Sequence, residues 1–192
     1  MEKVHPFSDD YQLWQAFKAG SEPAFDHLYE AYFSALYGYG TRLCGDRELV
    51  KDCIQTLFVE LWHHRTQVAD VRCIKYYLYR CLRRKIIRVS SQDRRLVRTE
   101  DFPESYPFEV AFSHELLLVT DQLNQENQRK LLRAFGQLTQ RQKEAVYLRF
   151  YENASYEEIA SVMSLKEVKY ARTLIYRALD VLRASIRNLA SV

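Results

Sequence analysis

An all-α fold divided into two small helical domains is predicted by three features of this 192-residue sequence. Turn formers are scarce, with five Gly and four Pro, too few for a sandwich or barrel of many short strands. Apolar residues recur at three- and four-residue spacing through most of the chain. Several of those stretches follow an Asp, Ser or Thr placed to cap a helix N-terminus.

Asp9 or Asp10 caps a first short helix with Leu13, Trp14 and Phe17 on one side, and Gly20 stops it. Ser21 is the next N-cap, and Pro23 suits a first turn. Phe25, Leu28, Tyr29, Tyr32, Phe33 and Leu36 then follow at helical spacing, so they are expected on a core face. Gly45–Asp46 breaks the chain and opens a third helix lined by Leu49, Val50, Cys53, Ile54, Leu57, Phe58 and Leu61. A fourth helix is expected from about Val71 to Val89, with Ile74, Tyr77, Leu78, Cys81 and Leu82 inward. These four helices form one bundle.

Pro103 and Pro107 stand close together in TEDFPESYPFE, which reads as an extended, flexible connector. Helical pattern resumes near Ser113, with Leu116, Leu117, Val119, Leu123, Leu131, Leu132 and Phe135. Domains are therefore expected over 1–92 and 113–192, joined by an acidic linker at 93–112. In the second domain Thr139 with Gln142, and Ser155 with Glu158, have capping-box spacing. Asn153 suits a left-handed helix end. A short helix holding Ile159, Ala160 and Met163, a tight turn at Ser164–Leu165, and a long helix striped by Val168, Ala171, Ile175, Ala178, Leu179 and Leu182 make a helix-turn-helix.

The net charge of +3 conceals blocks: −5 over residues 1–62, +9 over 63–98, −4 over 99–137 and +3 over 138–192. Two basic regions separated by an acidic one suit two contacts with a polyanion. The longest uncharged stretch, Ala31–Thr41, is eleven residues, too short to span a bilayer. The first ten residues hold no apolar run, so no signal peptide and a cytoplasmic location are expected. Cys44, Cys53, Cys73 and Cys81 form no CxxC pair, so reduced thiols are expected. No phosphate loop, nucleophile elbow, HExxH or metal-ligand spacing occurs; the expectation is no enzyme, no cofactor and no metal.

The segment LTQRQKEAVYLRFYENASYEEIASVMSL resembles region 4 of bacterial RNA polymerase sigma factors of the extracytoplasmic-function group, which reads the −35 promoter element. AFDHLYEAYFSALYGYGTRLCGDRELVKDCIQTLFVELWHHR resembles region 2 of the same group, most tellingly in Asp52, Gln55, Phe58 and Trp62. YYLYRCLRRKIIR stands where that family has its promoter-melting helix. The resemblance spans roughly residues 9–90 and 113–187. It implies a region 2-like four-helix bundle and a region 4-like helix-turn-helix domain on a flexible linker. It also implies a protein that binds core RNA polymerase and promoter DNA and is held by an anti-sigma factor; no heptad seam is evident, so a monomer is expected in the free state.

On the expected third helix Asp52, Gln55 and Val59 share one stripe, beside Phe58 and Trp62, and the resemblance makes these five the contact for the polymerase. On the fourth, Tyr76, Tyr79, Arg80, Arg83, Arg84 and Arg88 are candidates for the −10 element: cations for phosphates, rings for unpaired bases. For the −35 element the candidates are Lys166, Lys169, Tyr170, Arg172, Thr173, Tyr176 and Arg177 on the last helix, plus Ser155, whose helix start presents amides to phosphate. The chain departs from the family pattern in three places. Arg83–Arg84 replaces an Arg-Asn pair, Ser164 replaces a turn glycine, and the turn region is one residue longer. A stand-alone helix-turn-helix regulator with an N-terminal sensor or dimerisation domain is the alternative, and an all-α adaptor that binds no DNA is a third reading.

Overall fold

The computed structural model describes residues 9–92, 106–109 and 132–187. The chain divides into two compact units, Met1–Glu100 and Asp101–Val192. No strand occurs among the described residues.

The first unit contains α1 (Asp10–Lys18), α2 (Glu22–Cys44), α3 (Arg47–His63) and α4 (Ile74–Gln92). Its boundaries follow local chemistry. The Asp9 side chain accepts from Gln12 N at 2.8 Å, and the Ser21 hydroxyl from Ala24 N at 3.3 Å. Gly45 ends α2 in the left-handed region, at a φ of 72°, where only glycine is free of a Cβ penalty. Asp46 Oδ1 then accepts from Glu48 N and Leu49 N to open α3. The core is built from Leu28, Leu36 and Tyr39 of α2, Val50, Ile54, Leu57 and Leu61 of α3, and Ile74, Leu78, Leu82 and Ile86 of α4. At Gly40 a Cβ would stand 2.6 Å from Val50 Cγ1 and 3.2 Å from Ile86 Cδ1, so the missing side chain is what lets the three helices meet.

Two sequence expectations are corrected here. Tyr29 lies exposed, and Tyr32 and Phe33 are half-buried, whereas Tyr39 fills the core. On α4, Tyr77 and Cys81 are half-buried, and Tyr79 and Arg83 take the fully buried places. Helical spacing alone leaves two neighbouring faces of each helix equally eligible; the packing partners select one.

The second unit contains a helical end at residues 132–136, then α5 (Gln140–Val146), which runs on into a π-helical turn at Tyr147–Tyr151, α6 (Tyr156–Val162) and α7 (Val168–Arg187). Both capping boxes form: Thr139 N donates to Gln142 Oε1 at 2.8 Å, and Ser155 N to Glu158 Oε2 at 2.7 Å. Asn153 is left-handed, with φ 60°, and so is Ser164 in the turn, with φ 54°. Leu148, Ile159, Val162, Met163, Ala171, Ile175 and Ala178 are buried in this unit, where α5 and α6 both pack on α7.

Four residues of the expected linker, 106–109, are docked on this unit. Tyr106 and Phe108 are buried. The Tyr106 hydroxyl donates to the Glu144 carboxylate, Phe108 N donates to Gln140 Oε1 at 3.0 Å, and the Phe108 ring lies 5.7 Å from Tyr147. The apolar positions expected over Leu116–Leu131 lie outside the described residues.

Candidate nucleic-acid and polymerase interfaces

On α4 the Arg80, Arg84, Arg88 ladder turns away from the core: Arg84 and Arg88 are exposed and Arg80 is half-buried. Desolvation first, and then the like charges of Arg80 and Arg83, lower the Arg84 pKa. Tyr76 is half-buried, with Lys75 Nζ 5.6 Å from its ring centre. Two expected contacts are corrected. Tyr79 is 0% exposed, stacked on Tyr39 at 4.5 Å, and its hydroxyl donates to Ala35 O at 3.3 Å. Arg83 is 1% exposed, because it stands one turn beyond Tyr79 on the same inward face.

Between α3, α4 and the loop at residues 64–73 lies a groove of about 350 Å³. Leu61, Val68 and Tyr77 give it an apolar floor, and His64, Arg84 and Arg88 a polar rim. Lys85 crosses to Glu60 on α3 at 2.7 Å. An apolar slot with cations at its mouth has the chemistry to take a flat base with its phosphate outside. The Cys81 thiol at the groove is pushed up by burial, as are Cys44 and Cys53, so these three stay protonated at neutral pH. Among the described residues no group of three His, Cys, Asp or Glu is arranged to hold a metal ion.

On α3 Asp52, Gln55 and Val59 are exposed along one stripe, Val59 at 50%. Phe58, expected on the same surface, is 2% exposed and packs between Phe25 and Tyr29, with ring centres at 6.0 and 5.0 Å. It is a core residue. Trp62 is half-buried, 5.0 Å from Phe25, with the Arg65 guanidinium 4.5 Å above its ring.

All seven residues expected on the last helix are exposed: Lys169, Tyr170, Arg172, Thr173, Tyr176 and Arg177 on the outer side of α7, and Lys166 in the turn just before it. Lys169 ion-pairs with Glu167 at 2.7 Å between two exposed side chains, a pair too solvated to hold the ammonium from a phosphate. The Thr173 hydroxyl donates to Lys169 O at 2.9 Å, which leaves its methyl group and lone pairs outward. At Ser155 the N–H donates to the Glu158 carboxylate and the hydroxyl oxygen accepts from Glu158 N, and Glu157 and Glu158 make that helix start acidic, which disfavours a phosphate there. Sequence reasoning missed Arg149. Its guanidinium donates to Ala154 O at 2.9 Å and lies 4.9 Å from the Tyr156 ring, which Arg172 approaches at 5.4 Å. No spacing rule links these three residues; only the turn between helices brings them together.

A two-domain, all-α protein with a basic helix face in each domain is the class that this geometry defines. The sigma-70 region 2 family model matches residues 28–96, and the sigma-70 region 4 model matches residues 128–182. The chain belongs to the sigma-70 family, in its extracytoplasmic-function group, and is a sigma factor for promoter recognition. It is 27% identical over 169 residues to the ECF RNA polymerase sigma factor SigL of Mycobacterium tuberculosis, covering 84% of this chain and 88% of that one. Its fold is similar to CnrH in the complex with the cytosolic domain of CnrY: TM-score 0.57, 24% identity, 93% and 97% coverage of the two chains. It is also similar to the sigma factor RpoE of Bartonella quintana, crystallised with the anti-sigma factor NepR: TM-score 0.52, 15% identity, 85% and 96% coverage. Among the described residues no helix is long and apolar enough to cross a membrane.

Proposed function

We propose that this sigma factor works through three separate faces. Asp52, Gln55 and Val59, with the edge of Trp62, take a helix of core RNA polymerase. Arg80, Arg84, Arg88 and Tyr76 hold the opened −10 strand, with an unstacked base in the groove beside Tyr77. Lys166, Lys169, Tyr170, Arg172, Thr173, Tyr176 and Arg177 contact the −35 duplex through the major groove and its phosphates. The −10 and polymerase faces belong to a domain of residues 1–92 and the −35 face to one of residues 113–192, with 93–112 between them. The protein acts by binding, without a catalytic step of its own, in the cytoplasm and as a monomer when free. By its likeness to a sigma factor crystallised with an anti-sigma factor, it has an anti-sigma protein as a partner.

The observation that carries this reading is that each basic helix keeps an exposed cationic side over a buried one, with Tyr170 and Tyr176 exposed on the second and Tyr76 half-buried on the first, in a chain with regions 2 and 4 in order. Promoter-directed transcription with purified core polymerase tests it. Wild type is expected to bind the core and initiate at a defined start, and Asp52→Arg with Gln55→Ala to lose core binding while staying folded. A folded wild-type chain that fails to bind core polymerase sinks the reading. In the complete holoenzyme, Arg172→Ala is expected to lower −35 affinity and flatten its salt dependence by about one unit of slope.

A further inference from the structure

We propose that α1 is a positioning element for strand opening: through Trp14, Gln15 and Lys18 it fixes the loop at residues 64–73 that walls the groove beside Arg84 and Arg88. The inference rests on the reading of that groove as the strand-holding site.

Three hydrogen bonds leave α1 and end on two adjacent loop residues. Trp14 Nε1 donates to Ala69 O at 3.2 Å, Gln15 Nε2 to Asp70 Oδ1 at 2.9 Å, and Lys18 Nζ to the same oxygen at 2.6 Å. Positions 14, 15 and 18 share one side of a helix, so α1 presents all three donors together. The Trp14 side chain is buried, and a buried indole N–H requires an acceptor inside the protein; the loop backbone supplies it. Hydrogen bonds from Lys18 and then Gln15 hold the Asp70 carboxyl below its ordinary pKa, which keeps it charged for both donors at neutral pH.

The same indole meets the Tyr77 ring edge-on at 5.5 Å. Tyr77 lines the groove from α4, and Val68, one residue before Ala69, lines it from the loop. Trp14 therefore touches one wall and is bonded next to the other. At its start the loop has a second tie: Arg65 donates to Trp62 O at 2.8 Å. A segment without a regular hydrogen-bond ladder sets no fixed wall by itself. The ties from α1 supply what the ladder would, and so they set the width of the slot that an unpaired base enters.

The test uses holoenzyme and promoter DNA with 2-aminopurine in the −10 segment, whose fluorescence reports strand opening. Lys18→Ala and Asp70→Ala are each expected to lower opening by up to about fivefold, the range of one exposed ion pair. Affinity for core polymerase and for the −35 duplex stays at wild-type values, and the unfolding temperature falls by no more than one exposed ion pair contributes. Lys18→Asp combined with Asp70→Lys restores opening. Arg84→Ala with Arg88→Ala is run in parallel. If that pair fails to open DNA while the Lys18 and Asp70 variants open it normally, the positioning role is overturned and the groove reading stands. If the arginine pair opens DNA normally, the groove reading falls and takes the positioning role with it. Opening that declines only in step with core affinity or unfolding temperature overturns the role as well, because α1 then acts on the whole domain.

Discussion

The helices α4 and α7 have similar content, cationic and tyrosine-rich on an apolar stripe, yet only α7 keeps every expected contact residue in solvent. On α7 the fully buried positions are Ala171, Ile175, Ala178 and Leu182, a single narrow line dominated by small residues. On α4 they are Ile74, Leu78, Leu82 and Ile86, and beside them Tyr79, Arg83 and Ile87. That is two adjacent lines, whereas α7 buries one line although α5 and α6 both pack on it. A helix buried along one line exposes most of its charged residues. A helix buried along two keeps some of them for the core, whatever their charge.

The strongest way to break this comparison is to remove one tyrosine from each helix. Tyr79→Ala is expected to destabilise the N-terminal unit by about 3–5 kcal/mol, as for other large core rings, whereas Tyr176→Ala, 56% exposed, changes stability by no more than about 0.5 kcal/mol. Urea unfolding measures both; equal losses would mean that the two faces are not different in kind. Tyr106→Phe comes next. It removes one hydrogen-bond donor from the buried Glu144 carboxylate, so the C-terminal unit is expected to lose about 1–3 kcal/mol while the N-terminal unit is unchanged. Unfolding followed separately in the two units would show a shift in one transition alone.

A smaller effect sharpens the account of the helix-turn-helix. Ser164 pays a left-handed penalty that glycine does not, so Ser164→Gly is expected to stabilise the second unit by about 1 kcal/mol, seen as a raised urea midpoint. The smallest effect is acid dependence through Asp70. Its folded pKa lies below the ordinary value of 3.8, so its contribution is complete above that pH and is lost as pH falls through the folded value. The unfolding temperature of Asp70→Asn should match wild type more closely in acid than at neutral pH. A gap between the two that widens in acid would contradict the assigned sign.

Much of the fold was legible because its signals are local. Asp9, Ser21, Asp46, Thr139 and Ser155 each cap a helix start through bonds that close within three residues. The outer side of α7 was legible for a related reason: small residues at regular spacing leave one choice of inward side. Phe58, Tyr79 and Arg83, expected as contacts, are buried, and Ser155 is bonded to Glu158. Their residue types suit contact chemistry, but a neighbouring helix or a capping partner had already claimed them. The docked segment at 106–109 was read as connector, because two prolines and acidic neighbours describe a local chain and not the Glu144 and Gln140 waiting elsewhere.

What the sequence determined by itself is the helix order, the caps, the blocks of charge and the family, since these depend on residues near one another in the chain or on a pattern along it. Tertiary structure alone decided which arginine of the Arg83–Arg84 pair meets solvent, where Arg149 joins Tyr156 and Arg172, and how α1 ties down the loop at 64–73. The physical reason is that burial is a property of helix pairs. Residues 52–55 positions apart in the chain become hydrogen-bond partners only when the helices carrying them pack, and no spacing rule reaches that far.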